Sequence, residues 1–160
     1  MTSYSRKHLV LTPDCGRTID RRRTVIPEWP KSLERRGHVA ADRSYSREVL
    51  LVDDDAVFVE TLSRFLKDAN FSVIAEFTLS GALKYLTTHT PDALITDLQL
   101  CDGDGWALAV YARTHQPSLP VVAVTGWSSL AETDEDNLRT RVFLKPFDPD
   151  TLLNYLESVL

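Results

Sequence analysis

The sequence predicts an α/β protein built on a doubly wound, five-stranded parallel sheet. Three observations carry that expectation. Short apolar runs of strand length alternate with helical patterns five times along residues 48–160. The runs are nearly continuous in apolar residues, as strands covered on both faces are. Polar residues with chemical capability follow several of the runs directly, where open α/β sheets place their ligands.

The first strand is the run Val49, Leu50, Leu51 and Val52, which ends in Asp53, Asp54 and Asp55. Val57, Leu62, Phe65 and Leu66, with Phe58 and Val59 near the start, give one helical face through about Ala69. Residues 71–77 alternate as a second strand, and 80–88 carry a helix with Leu83 and Leu86 apolar. Residues 92–96 (DALIT) form a third strand that ends in Asp97. A third helix over 103–114 turns Trp106, Leu108, Ala109 and Ala112 inward. Residues 120–124 are a fourth strand, ending at Thr125 and Gly126. The polar, acidic stretch 127–140 predicts only a shortened or irregular fourth helix. Residues 142–144 are a short fifth strand, closed by Lys145 and Pro146. Asp148 and Pro149 read as the N-cap and first residue of a last helix carrying Leu152, Leu153 and Leu156.

The chain of 160 residues carries a net charge of −5 that conceals two halves. Residues 1–47 hold 11 Lys/Arg against 5 Asp/Glu, whereas 48–160 hold 7 against 18. The first stretch has no apolar period, and prolines 13, 27 and 30 interrupt it, so it reads as a basic, largely disordered extension. Residues 48–160 read as the folded domain. Its acidity disfavours duplex DNA as a partner. No apolar run reaches the ~18 residues of a membrane span, and no signal peptide is evident, so a cytoplasmic location is expected. Cys15 and Cys101 match neither a disulfide framework nor a zinc site, which predicts two free thiols.

In this topology Asp53, Asp54, Asp97, Thr125 and Lys145 converge on one rim. Carboxylates about 4 Å apart repel by roughly 4 kcal/mol per pair at an effective dielectric near 20. Such a cluster takes up protons or holds a cation, and hard oxygen donors completed by water suit Mg²⁺. A carboxylate is also a competent nucleophile toward a phosphoryl group. A cation, an ammonium and a hydroxyl then neutralise its three oxygens, and Gly126 would leave the group room to enter. A cis bond before Pro146 is one way to fix the direction of Lys145.

The stretches LLVDDD (50–55), LITDLQL (94–100), VTG (124–126) and FLKPF (143–147), in this order, resemble a response-regulator receiver domain of two-component signalling. The resemblance covers 48–160 and implies a flavodoxin-like fold. It implies that Asp53 and Asp54 hold Mg²⁺ together with Asp97 and the backbone carbonyl of Gln99. Asp97 would be the phosphoacceptor, Thr125 the switch hydroxyl and Lys145 the lysine that pairs with the phosphoryl oxygens. The implied partners are a sensor histidine kinase or phosphotransfer protein and a downstream protein target, with no DNA-binding domain in the chain. Gln99 and Trp127 would set the phosphoryl lifetime. Three positions depart from the family pattern: Val142 replaces an aromatic, Cys101 replaces a proline, and 127–140 is short and acidic. These features are similar to the stand-alone receivers with a Phe-Ala-Thr-Gly signature, and they imply a switch that works without the usual aromatic.

Two alternatives stay open at this point. Asp53 and Asp55 after an apolar strand also mimic the nucleophile motif of haloacid-dehalogenase-like phosphatases. A receiver-shaped interaction domain that works without phosphate is the other. On the receiver reading the protein is not an enzyme in the usual sense, because it promotes only its own phosphorylation and dephosphorylation.

Overall fold

The computed structural model of the chain describes residues 46–126 and 140–160. The expectations for the basic extension, Trp127 and most of the segment 127–140 therefore fall outside the described residues. Strands β1 (Glu48–Val52), β2 (Ser72–Glu76), β3 (Ala93–Asp97), β6 (Val121–Thr125) and β7 (Thr140–Leu144) form one sheet. Its order is β2-β1-β3-β6-β7 with every pair parallel. Helices α1 (Ala56–Asp68), α2 (Leu79–Leu86), α3 (Gly105–His115) and α4 (Pro149–Val159) connect or close the strands.

Side chains alternate across a strand, so each central strand feeds two cores. Val49, Leu51, Ile95, Val122 and Val124 face α1 and α4, where they meet Leu62, Phe65, Leu66, Leu152 and Leu156. Leu50, Val52, Leu94 and Val121 face α2 and α3, against Ala82, Leu86, Leu108 and Ala112. Burial on both faces is why β1, β3 and β6 read as unbroken apolar runs. Trp106 packs against the second of these cores while staying partly exposed.

Each helix starts on a side-chain cap. Asp55 accepts hydrogen bonds from the N–H groups of Val57 and Phe58 at the head of α1. Asp148 caps α4 with Pro149 behind it, as expected. Asn70, at a φ of 69°, follows the C-terminal end of α1 in the left-handed region that Asn tolerates. The third helix begins at Gly105 rather than at residue 103. The reason is a two-rung antiparallel ribbon, β4 (Gln99–Leu100) against β5 (Gly103–Asp104), which uses the preceding residues and leaves Asp104 as the cap. The sequence carries no periodicity over so short a ribbon. Cys101, in the turn of that ribbon, is disulfide-bonded and not the free thiol expected. Spacing along the chain is silent about which cysteines the fold brings together; Cys15 lies outside the described residues.

Asp102 uses the same turn to tie the ribbon to α2. Its carboxylate accepts from the N–H of Leu79 at 2.6 Å, the N–H of Ser80 at 3.0 Å and the Ser80 hydroxyl at 2.9 Å. Burial pulls its pKa up, but these bonds outweigh burial and hold it below the usual carboxylate range.

Gly105 fixes how closely α3 approaches the end of β3. A Cβ there would fall 1.9 Å from the carbonyl oxygen of Asp97 and 2.8 Å from the Cα of Leu98. No side chain fits that gap, so the start of α3 or the end of β3 would have to move. Gly105→Ala is therefore expected to cost about 1–3 kcal/mol in urea unfolding, the usual range for overpacking. An unchanged midpoint would show that the two backbones do not approach as closely as described.

Candidate functional site

Parallel strands bring their carboxyl ends to one edge, and the residues that close β1, β3, β6 and β7 meet there. Asp53 and Asp54 follow β1, Asp97 is the last residue of β3, Thr125 is the last of β6, and Lys145 follows β7. Asp53 and Thr125 are fully buried, Asp97 is 9% exposed, and Asp54 is half-buried.

Lys145 holds the centre. Its Nζ donates to Asp53 Oδ2 at 2.5 Å and to Asp97 Oδ2 at 2.7 Å. Because β6 lies between β3 and β7, the lysine stem crosses the end of β6 to reach both acids. The backbone is anchored where that crossing starts, by a bond from Lys145 N–H to the Thr125 carbonyl at 2.7 Å. The Lys145–Pro146 peptide is cis. The ring of Phe58 lies against the ammonium, with 4.1 Å between Nζ and the ring centroid.

The two acids are held in the same way on their other oxygens. Asp53 Oδ1 accepts from Asp55 N–H at 2.9 Å, and Asp97 Oδ1 accepts from Gln99 N–H at 2.8 Å. Each is a carboxylate folded back on the backbone two residues on, the turn that Asp favours after a strand. Each acid therefore keeps a fixed rotamer and presents its Oδ2 to the shared cation.

The charges do not cancel, since two carboxylates meet one ammonium. Burial pushes the Asp53 carboxyl up to about 7; Lys145 pulls it down and Asp97 pushes it further up. Burial would lower the Lys145 pKa, but Asp53 and Asp97 outweigh it and hold the ammonium above its ordinary value. The residual negative charge and hard oxygen donors fit a small divalent cation, which typically takes one or two carboxylates and keeps several waters. Among the described residues no three His, Cys, Asp or Glu side chains cluster as a metal cage. The pair that the fold brings together is Asp53 with Asp97.

All six residues expected from the sequence stand on this rim or its bordering ribbon. Asp55, the candidate second acid of a phosphatase motif, instead closes the N-terminus of α1. Sequence reasoning did not find Phe58 over the lysine, Gly105 beneath Asp97 or Asp102 on α2. Only Asp102, as an acid in a Gly-rich turn, had a recognisable signal.

Comparison with known proteins bears on the same residues. A family profile described as "response regulator receiver domain" matches residues 49–157. The virulence transcriptional regulatory protein PhoP of Salmonella typhimurium is 32% identical over 115 residues, which is 70% of this chain and 51% of PhoP. The heme response regulator HssR of Staphylococcus saprophyticus is 27% identical over 113 residues, covering 69% of this chain and 50% of HssR. The chain thus spans about half the length of these curated relatives. A response regulator receiver protein from Sinorhizobium medicae superposes with a TM-score of 0.66 at 28% identity, covering 71% of this chain and 94% of that structure.

The Asp53 geometry predicts a specific pH response. Asp53 binds a proton more tightly in the folded chain than unfolded, where an aspartate titrates near 4. Its contribution to stability without metal is therefore lost as pH rises from about 4 to about 7, and the loss is complete above that. Urea unfolding of wild type and Asp53→Asn in chelator, from pH 4 to 8, should show the variant gaining on wild type across this window. The expected gain is on the order of a few kcal/mol. A stability difference that does not change with pH would contradict the burial of an ionisable Asp53.

Proposed function

This chain belongs to the response-regulator receiver family of two-component signalling, and we propose that it is a phosphorylation switch whose acceptor is Asp97. Members of the family are phospho-accepting switches and not turnover enzymes. The donor is a phosphohistidine on a sensor histidine kinase or phosphotransfer protein. A carboxylate oxygen of Asp97 attacks phosphorus and an O–P bond forms. The N–P bond breaks with its electron pair returning to the imidazole, and an acyl phosphate remains on Asp97.

The observation that carries this reading is the single ammonium spanning Asp53 and Asp97. A receiving site needs a nucleophile held in place although shielded from water, and the Lys145 ammonium, 2.7 Å from Asp97 Oδ2, does that for Asp97. After transfer the same ammonium neutralises a phosphoryl oxygen, and the hydroxyl of Thr125 donates to another. Asp53, Asp54, Asp97 and the Gln99 carbonyl would hold Mg²⁺, which supplies charge neutralisation at the phosphoryl oxygens. With Asp53 among the residues that would hold the cation, Lys145 would be free to pair with the phosphoryl group. The Asn-like folding back of Asp97 on Gln99 N–H keeps the nucleophile oriented throughout.

Output runs through protein contact, because residues 48–160 are acidic and Val142 removes the usual aromatic reporter. Val142 is half-buried on edge strand β7, so the surface that changes is built from other side chains. Among the described residues no helix is long and apolar enough to cross a membrane. A cytoplasmic location accords with a cytoplasmic kinase domain as donor.

Acetyl phosphate with Mg²⁺ should label wild type, and mass spectrometry should place the added phosphoryl on Asp97. Asp97→Asn should abolish the label, and Lys145→Met should slow it by roughly 10²-fold, the usual cost of losing one charge-stabilising donor. Labelling of Asp97→Asn at the wild-type rate would contradict the proposal.

A further inference from the structure

We propose that Phe58 is a positioning residue for Lys145, holding the ammonium in the acid pocket through its aromatic face. This rests on the reading that Lys145 serves phosphoryl transfer to Asp97. The Nζ of Lys145 is 4.1 Å from the centroid of the Phe58 ring, well inside the ~6 Å range of a cation–π contact. The ammonium thus has three partners: Asp53, Asp97 and the ring. The side chain is 22% exposed, so the contact is largely desolvated, where such attraction is strongest.

Phe58 is itself fixed from two sides. Asp55 accepts from its N–H at 3.3 Å in the first turn of α1, which sets the backbone. The ring meets Phe147 edge-on, at 6.2 Å between centroids and 75° between planes. Phe147 lies two residues past Lys145 and packs on Phe143 at 5.5 Å, which in turn meets Tyr155 of α4 at 6.2 Å. The ring over the lysine is thereby tied to both sides of the lysine's own strand end.

The chemistry gives the ring a distinct task. Were Asp53 to hold a divalent cation, the ammonium would keep Asp97 and the ring as partners and would be free to turn toward the phosphoryl oxygens. A carboxylate in place of the ring would trap it, and water would let it wander. An aromatic face attracts the cation without a fixed hydrogen-bond direction, so the ammonium stays near Asp97 while it turns. The ring contact is independent of Val142, where the family's usual aromatic is absent.

The test uses full-length protein with phenylalanine at position 58 replaced by 4-fluoro- and 3,4,5-trifluorophenylalanine, together with Phe58→Leu and Phe58→Tyr. Fluorination keeps ring shape while weakening the negative face, so a packing role would not follow it. Two readouts are taken: the labelling rate with acetyl phosphate and Mg²⁺, and the proton and nitrogen resonances of the Lys145 ammonium in unphosphorylated protein. The expected result is a rate falling stepwise with fluorination, to roughly tenfold below wild type in Phe58→Leu, with Phe58→Tyr within about threefold. The ammonium protons should show an upfield ring-current shift that Phe58→Leu removes and Phe58→Tyr restores. Rates that ignore fluorination in a wild type that labels would overturn the proposal. An absent ring-current shift in wild type would overturn it whether or not the protein labels. Failure of wild type to label would instead count against Asp97 as acceptor, and the ammonium shift would still decide the ring's role.

Discussion

A lysine ammonium shared between two buried carboxylates is the contact on which the rim depends. It draws together side chains that follow β1, β3 and β7, the last reached across the end of β6. Removing the lysine leaves two uncompensated carboxylates in a site with little water, at a cost of about 3–5 kcal/mol, whereas removing Asp53 leaves one anion for one cation. The arrangement still carries one negative charge in excess, which shows in the raised carboxyl of Asp53. A site poised in this way is not at rest energetically. The excess negative charge suits a proton or a small cation, and either would relieve the repulsion between the two carboxylates that share Lys145.

The surrounding structure serves to keep that contact from relaxing. The two Asx-type turns fix the acids, Gly105 lets α3 press against the Asp97 backbone, and the β4–β5 ribbon occupies the space beside it. Asp102 fastens that ribbon to the start of α2. On the other face, α1 begins with Asp55 as its cap, which places Phe58 in the first turn and so over the lysine. The acid run after β1 therefore divides its work. Asp53 meets the cation and Asp55 builds the helix that covers it.

Most of this was legible in the sequence because it follows from period and position. The apolar runs 49–52, 92–96 and 120–124 became β1, β3 and β6, and the residues ending them landed on one edge, as parallel topology requires. Asp148 and Pro149 announced α4 through capping chemistry alone. What stayed hidden depends on approach between distant segments. Nothing in the pattern marks a two-residue ribbon at 99–104, a glycine at 105 facing a carbonyl, or a phenylalanine on α1 facing a lysine 87 positions later. Cys101 was misread for the same reason, because its bonding is decided by the fold and not by spacing.

The shared ammonium is tested most directly by a double-mutant cycle on Lys145→Met and Asp53→Asn. Urea unfolding would be measured at pH 8 with chelator present, where Asp53 is ionised. The account predicts a coupling energy of roughly 1–3 kcal/mol between the two positions, as for residues in one charged network. Effects that add within about 0.5 kcal/mol, the behaviour of independent sites, would contradict it.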